Sequence, residues 1–314
     1  MRIKNPLRTI PHLFLLALTT FGMSCSSEPA TLRIGMMPAV DIAPFYYAQE
    51  NGIFAEHDVQ VELILFTNGQ NRQTALQTNQ VDGAMTDLVA LVTNTAGDFP
   101  LRGVLATEGV FPLLVHESTG LQHRNGNSQH DPAAIGVMEI SITNYIAEKY
   151  LDTHFPEITY ETVYINEIPT RLEAVHGGQL SGGIFPEPVA SIGEHRGLTK
   201  LVYDDIPDQS PDIIAFTETA LQQKDTAISA LVSAYNQAAE ELRADHDLSR
   251  DVLMRNIPNL PPEVRRLIIL PEYRPAHLPD NGFIQEIIDW TGTAIGRELS
   301  VHPEDIIDRR YLAQ

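Results

Sequence analysis

The chain has 314 residues, 43% hydrophobic and 20% charged, enough length for two domains and enough apolar side chain for a sizeable core, so disorder is excluded as its default state. Forty-one acidic residues against 21 basic ones give a formal net charge of −20, which repels phosphate and excludes nucleic acid as an expected partner, although such acidity also serves solubility alone. Cys25 is the only cysteine, so no internal disulfide is possible.

Arg2, Lys4 and Arg8 precede an apolar run over 13–18 that is too short to span a bilayer and carries the basic flank of a secretory signal. Residues 1–24 are therefore expected to be removed on export. Gly22-Met23-Ser24-Cys25 resembles a bacterial lipobox, with Gly22 where Leu is usual. That resemblance implies that Cys25 is lipidated, becomes the first mature residue and tethers the protein through a linker over 25–30. A chance cysteine after an ordinary signal is the alternative.

Apolar alternation over 31–37 predicts a strand, followed by Pro38, Ala39 and a polar turn at Asp41. Pro44 suits the first turn of a helix, where its missing N–H has no partner, and Phe45, Tyr46, Tyr47 and Ala48 supply a buried face before Asn51-Gly52 stops it. A second strand is predicted over 59–66, a turn at Asn68-Gly69, a second helix through Ala75 and Leu76, and a third strand over 81–85 running into Thr86-Asp87 at the head of an apolar helix. Two more strands are expected over 99–107 and 112–116, the latter leaving the first lobe. Such βα alternation implies an open parallel sheet whose carboxyl edge carries the ligand-binding loops.

His116, His123 and His130 lie around a polar, glycine-containing loop with no cysteine or acidic partner pattern, so solvated histidines are expected and no metal site. The alternation then starts again: strands over 134–138, 159–165, 181–185 and 198–203, with helices over 145–151, 168–177 and 189–195 between them. The second of these helices contains Arg171. A return strand is expected over 212–216. From Asp225 onward the pattern is helical, with Ile228, Leu231, Val232, Tyr235, Ala239 and Leu242 on one face, then short helices over 250–255 and 262–269, a last long helix carrying Phe283, Ile287, Ile288 and Trp290, and a closing one over 303–311. These helices lack strands of their own and are expected to pack on the first lobe, with Trp290 in the core.

Three segments carry a family likeness: residues 44–54, Pro-Phe-Tyr-Tyr-Ala-Gln-Glu-Asn-Gly-Ile-Phe; residues 75–84, Ala-Leu-Gln-Thr-Asn-Gln-Val-Asp-Gly-Ala; and Phe185-Pro186-Glu187-Pro188. In order and spacing they resemble the solute-binding proteins of ABC importers in the nitrate, sulfonate, taurine and thiamine-precursor group, and Asn79 stands where that family usually has Gly. The likeness runs from about Leu32 to Leu312. It implies an α/β, two-lobe type II periplasmic-binding-protein fold, each lobe an open, mostly parallel sheet, with the ligand in the interlobe cleft. Lobe 1 is expected over 31–115 and 215–314 and lobe 2 over 116–214. The protein is expected to be an exported, lipid-anchored monomer in the bacterial cell envelope, not an enzyme and without a cofactor, that hands a small organic solute to a permease and its ATPase subunits.

The candidate binding residues come from loops after strands: Pro38, Ala39, Asp41, Asn68, Gly69, Thr86 and Asp87 in the first lobe, and Ser141, Thr143, Asn144 and Glu187 in the second. Helix N-termini there offer free N–H groups to an anionic head group. Thr86, Ser141 and Thr143 serve either as helix caps or as ligand contacts, and Glu187 either meets ligand or holds its own loop. Asp87 and Glu187 would repel an anion and favour a sulfonate- or pyrimidine-like ligand, or another small heterocycle, bearing donors. Fungal thiamine-pyrimidine synthases resemble the same family and use pyridoxal phosphate on a lysine with a cysteine-rich motif. Lys149, Lys200 and Lys224, the lysines beyond the signal, are not expected at the strand-end loops, and no second cysteine exists, so the enzyme is the weaker alternative, beside a sensory receptor without transport.

Overall fold

The computed structural model describes residues 30–117, 132–202 and 209–312, besides Met1. The expectations at Cys25, His123 and His130 concern residues outside these ranges, and His116 is half-buried.

In chain order the first series is β1 (Thr31–Met36), α1 (Ala43–Glu50), α2 (Ile53–Glu56), β2 (Gln60–Leu65), α3 (Gly69–Gln77), β3 (Gly83–Asp87), α4 (Leu88–Ala96) and β4 (Leu101–Ala106). The second is β5 (Leu113–Val115), β6 (Ala133–Val137), α5 (Ile142–His154), β7 (Tyr160–Tyr164), α6 (Ile168–His176), β8 (Gly182–Ile184), α7 (Val189–His195) and β9 (Thr199–Leu201). The chain ends with β10 (Asp212–Thr217), α8 (Glu218–Gln223), α9 (Asp225–Ala244), α10 (His246–Asn256), α11 (Asn281–Ala294) and α12 (Pro303–Ile306).

The local signals act as their chemistry requires. Pro44 opens α1, and Gly52, at φ 75°, supplies the left-handed turn into α2. Asn68 and Asp87 cap α3 and α4 by accepting from the amides of Asn71 and Ala90, both at 2.8 Å.

Two five-stranded sheets result, in the orders β2-β1-β3-β10-β4 and β7-β6-β8-β5-β9. In each, four strands share one direction and the fourth in the row runs antiparallel to both its neighbours. That fourth strand arrives from the other half of the chain: β5 follows β4, and β10 follows β9. The sheets bear on where the lobes divide. Leu113–Val115 fall within the 31–115 expected in the first lobe, but as β5 they pair with β8 and β9 in the second sheet, while the return strand expected over 212–216 runs over Asp212–Thr217 in the first. The reason is pairing: an apolar tripeptide such as Leu113-Leu114-Val115 has no helix attached to mark its side, and only its hydrogen-bond partners assign it.

The C-terminal helices cover the first sheet. Tyr235 of α9 packs against Phe45 of α1 with ring centroids 5.2 Å apart, and α11 lies on α4. The segment expected as a helix over 262–269 is instead a short 3-10 turn, Pro262–Arg266. Trp290 is half-buried on α11, edge-on to Tyr145 of α5 and donating to the Glu148 carboxylate at 2.6 Å, so it ties the two halves together. On the opposite side Val40 N donates to Glu187 O at 3.0 Å and Lys200 Nζ to Leu267 O at 2.7 Å.

Gly83 shows how tightly the first sheet is built. A Cβ there would sit 2.5 Å from Cδ1 of Phe216 and 2.7 Å from the carbonyl oxygen of Ala215. Gly83→Ala is expected to cost about 1–3 kcal/mol through overpacking, read as a lower urea midpoint at unchanged m-value.

Candidate functional site

A cavity enclosing about 630 Å³, part of it open to solvent, lies where the two sheets face each other. Carboxyl ends of parallel strands supply most of it: Met37, Pro38 and Ala39 after β1, Gly69 and Arg72 after β2, Thr86 and Asp87 at the end of β3, Met138, Ser141, Ile142 and Thr143 after β6, Ile168 and Arg171 after β7, and Pro186 after β8. Asp212 is the exception that follows the same geometry. It begins the antiparallel β10, so its amino end reaches the edge where its neighbours end, and it stands directly opposite Asp87 in register.

Residues 26–253 match the model of the NMT1-like family. The chain belongs to the NMT1-like family. A protein of Brachyspira hyodysenteriae named as an ABC transporter periplasmic binding protein is 19% identical over 275 residues, 81% of this chain and 78% of that one. Among solved structures, the ligand-binding component of an ABC-type import system from Staphylococcus aureus, with zinc bound, superposes with a TM-score of 0.76 at 17% identity, over 90% of this chain and 97% of its own. The periplasmic aliphatic sulphonate binding protein of Escherichia coli does so with a TM-score of 0.66 at 16% identity, over 88% and 97%. The architecture is thus the two-lobe α/β periplasmic-binding-protein fold, type II.

In this NMT1-like chain, seven of the residues singled out by sequence line the cavity: Pro38, Ala39, Gly69, Thr86, Asp87, Ser141 and Thr143. Asp41, Asn68, Asn144 and Glu187 lie outside the lining. Asn68 is occupied in capping α3, and buried Asn144 donates to Glu148 at 3.0 Å. Glu187 is fully buried behind the cleft, where it accepts from Ser191 N at 3.2 Å, Ser191 Oγ at 2.7 Å and Lys200 Nζ at 3.0 Å. It holds its own loop. Lys149 and Lys224 pair with Glu286 and Asp82. Among the described residues no group of three or more His, Cys, Asp or Glu is placed to hold a metal ion, and no helix is long and apolar enough to cross a membrane.

The lining hydroxyls are partly engaged. Thr143 Oγ1 accepts from Met138 N at 3.0 Å, and Ser141 Oγ donates to Met138 O at 3.0 Å, stapling the turn into α5 rather than capping it. Thr86 Oγ1 accepts from Arg72 Nη2 at 3.1 Å.

Sequence reasoning missed the two arginines and Asp212. Arg72 and Arg171 occupy the same place in the two halves, four residues after the N-caps Asn68 and Glu167. A glycine in the second strand of each row makes room for it: a Cβ at Gly35 on β1 would lie 3.3 Å from Cγ of Arg72, and one at Gly136 on β6 would lie 2.9 Å from Cγ of Arg171. Those paired strand glycines are the signal that could have found them.

Burial governs the charges. It pushes Asp87 up, and it pushes Asp212 well up, with the Asp41 and Asp87 charges acting the same way. It draws Arg171 down to about 10 and lowers Arg72 against the opposing pull of Asp87, Asp212 and Asp41. Asp41 is buried beside the site, accepts from Thr107 Oγ1 at 2.7 Å and has its Oδ1 unpartnered.

Desolvation, reinforced by Glu108 and opposed by Thr107 and Arg72, pushes Asp41 up to about 6 from 3.8. The folded chain therefore keeps a proton that the unfolded chain has lost, so stability is greatest at the acid end of that window and falls as pH rises from 3.8 through 6. Asp212 acts in the same sense. Asp41→Asn is expected to flatten the fall and to raise the melting temperature at neutral pH, checked by thermal denaturation across that range.

Proposed function

We propose that this chain is an extracytoplasmic solute-binding lipoprotein that captures a small organic molecule between two lobes and delivers it to an ABC permease and its ATPase subunits. The observation that carries the reading is the cavity itself, lined by strand ends from both sheets, so that one ligand touches both halves and favours the closed form. The lobes are taken as residues 31–112 with 212–312, and 113–202, joined by crossings before β5 and β10, where hinge motion would be absorbed. Family membership supports the same reading, as does the sulphonate-binding neighbour of the same fold. Capture and release require no catalytic group.

A sulfonate-, pyrimidine- or other small heterocycle-like ligand suits a wall rich in Met37, Met85, Met138 and Phe111 with a few convergent polar groups. Native mass spectrometry of the purified protein is expected to find a copurifying small molecule. Adding that molecule back should raise the melting temperature with concentration and reduce the radius of gyration in solution scattering as the lobes close. A cavity occupant that changes neither, or turnover of the molecule to a product, would overturn the reading.

The anchor is a separate matter. Cys25, after a signal segment ending in small residues, is taken as the lipidated first residue of the mature protein, monomeric at the membrane surface. Cys25→Ala is expected to move the protein from the membrane fraction to the soluble one. Fractionation with membranes as in the parent would refute the anchor and leave solute capture untouched.

A further inference from the structure

We propose that the ligand of this cavity is dipolar, with an anionic group seated on Arg171 and the first turn of α5, and a cationic or N–H-bearing group seated on Asp87 and Asp212 across the cleft. This deepens the solute-capture reading and rests on it.

The anionic half follows from an unpaired charge. Arg171 is 0% exposed, and it lines the cavity. Nη1 donates to Ile165 O at 2.6 Å and Nη2 to Ile184 O at 3.4 Å, the guanidinium lies 5.0 Å from the centre of the Phe185 ring, and Nε has no partner. Among the described residues no carboxylate pairs with it, in contrast to buried Lys200, which has Glu187. A desolvated cation held only by neutral groups gains most from an anion that enters its site. The start of α5 adds to this. Ser141 stands at its N-cap without a side-chain cap, and although the Asn144 amide turns back to Ser141 O at 3.0 Å, the amides of Ile142 and Thr143, two residues that line the cavity, are left for an oxyanion. Among the described residues, no other charged residue of the second sheet's half reaches the lining.

The cationic half follows from the opposite wall. Asp87 and Asp212 face each other across β3 and β10, an arrangement that repels when both are ionised. Asp87 keeps one oxygen on the Ala90 amide, and among the described residues no donor reaches the Asp212 carboxylate. Arg72 lies beside them, but it is turned to Thr86 and its Nε is unpartnered. One ammonium or ring N–H between the two aspartates relieves the repulsion and supplies the missing donor. Met85, Met138, Phe111 and Ile168 add apolar side chains to the same lining, suited to a flat or aliphatic body.

The test is a thermal-shift and calorimetric panel of short-chain and benzylic ω-amino carboxylates, sulfonates and phosphonates. Each is matched to its amine-free acid and its acid-free amine, and the acids together show which oxyanion Arg171 takes. The parent protein is expected to bind at least one zwitterion more tightly than either singly charged counterpart. Arg171→Met should weaken that zwitterion on the order of 10- to 100-fold and bring it level with the matched amine, without lowering the melting temperature of the free protein, since an apolar group replaces an unpaired buried charge. Arg171→Lys should keep the preference for the acid at lower affinity. Asp212→Asn should weaken zwitterion and amine but not acid. Singly charged compounds that bind as well as the zwitterions overturn the dipolar assignment while leaving solute capture intact. A lower melting temperature in Arg171→Met with unchanged ligand preference marks Arg171 as a strut and overturns the anionic half. If no compound of any charge binds and none copurifies, the solute-capture reading falls and this proposal with it.

Discussion

The molecule depends on the exchange of one strand between two sheets. Each sheet completes its row with an antiparallel strand that the chain delivers immediately after crossing from the other half, β5 into the second and β10 into the first. The exchange makes neither sheet a contiguous product of its own stretch of sequence, and it brings the stretch after β4 against the start of β10, where Thr107 N donates to Asp212 O at 3.0 Å. Because β10 runs against its neighbours, its first residue rather than its last arrives at the ligand edge. Asp212 is in the site for that reason alone, opposite Asp87.

Charge burial separates what supports the fold from what faces the cavity. Glu187 and Lys200 are removed from water together, at 0% and 5% side-chain exposure, and share Ser191, so each polar atom has a partner. Removing one partner of such a pair is costly even though the pair as a whole adds little stability. That arrangement braces the loop after β8 and, through Lys200 and Leu267, the seam between the halves. Arg171, 0% exposed, keeps its Nε without a partner, and Asp212, 7% exposed at the cavity, has no donor on its carboxylate among the described residues. Two carboxylates read alike along the chain, Asp87 and Glu187, thus end in different roles, one on the cavity and one behind it.

The βα alternation, the turn at Asn68-Gly69, the placing of Thr86-Asp87 at the head of a helix, the break at Asn51-Gly52 and the two successive α/β series were legible in the sequence, because each depends on neighbours within a turn or a strand; that Asn68 and Asp87 themselves cap α3 and α4 was not read there. The strand-end rule placed seven residues of the lining on the same grounds. Arg72 and Arg171 escaped it because a cation in the first turns of a helix ordinarily points to water. The missing side chains of Gly35 on β1 and Gly136 on β6 leave the room that these two occupy.

By itself the sequence determined which segments of the two α/β series become strands and helices, that they alternate twice, and that ligand-edge loops would carry residues such as Pro38, Thr86 and Ser141. Those outcomes rest on period, capping and turn chemistry, which act over a few residues. Tertiary structure alone decided the sheet to which Leu113-Leu114-Val115 belongs, the removal of Glu187 from the cleft and the facing of Asp87 by Asp212. Each depends on hydrogen bonds or ion pairs between residues far apart in the chain, and no local pattern encodes which distant partner a strand or a buried charge will meet.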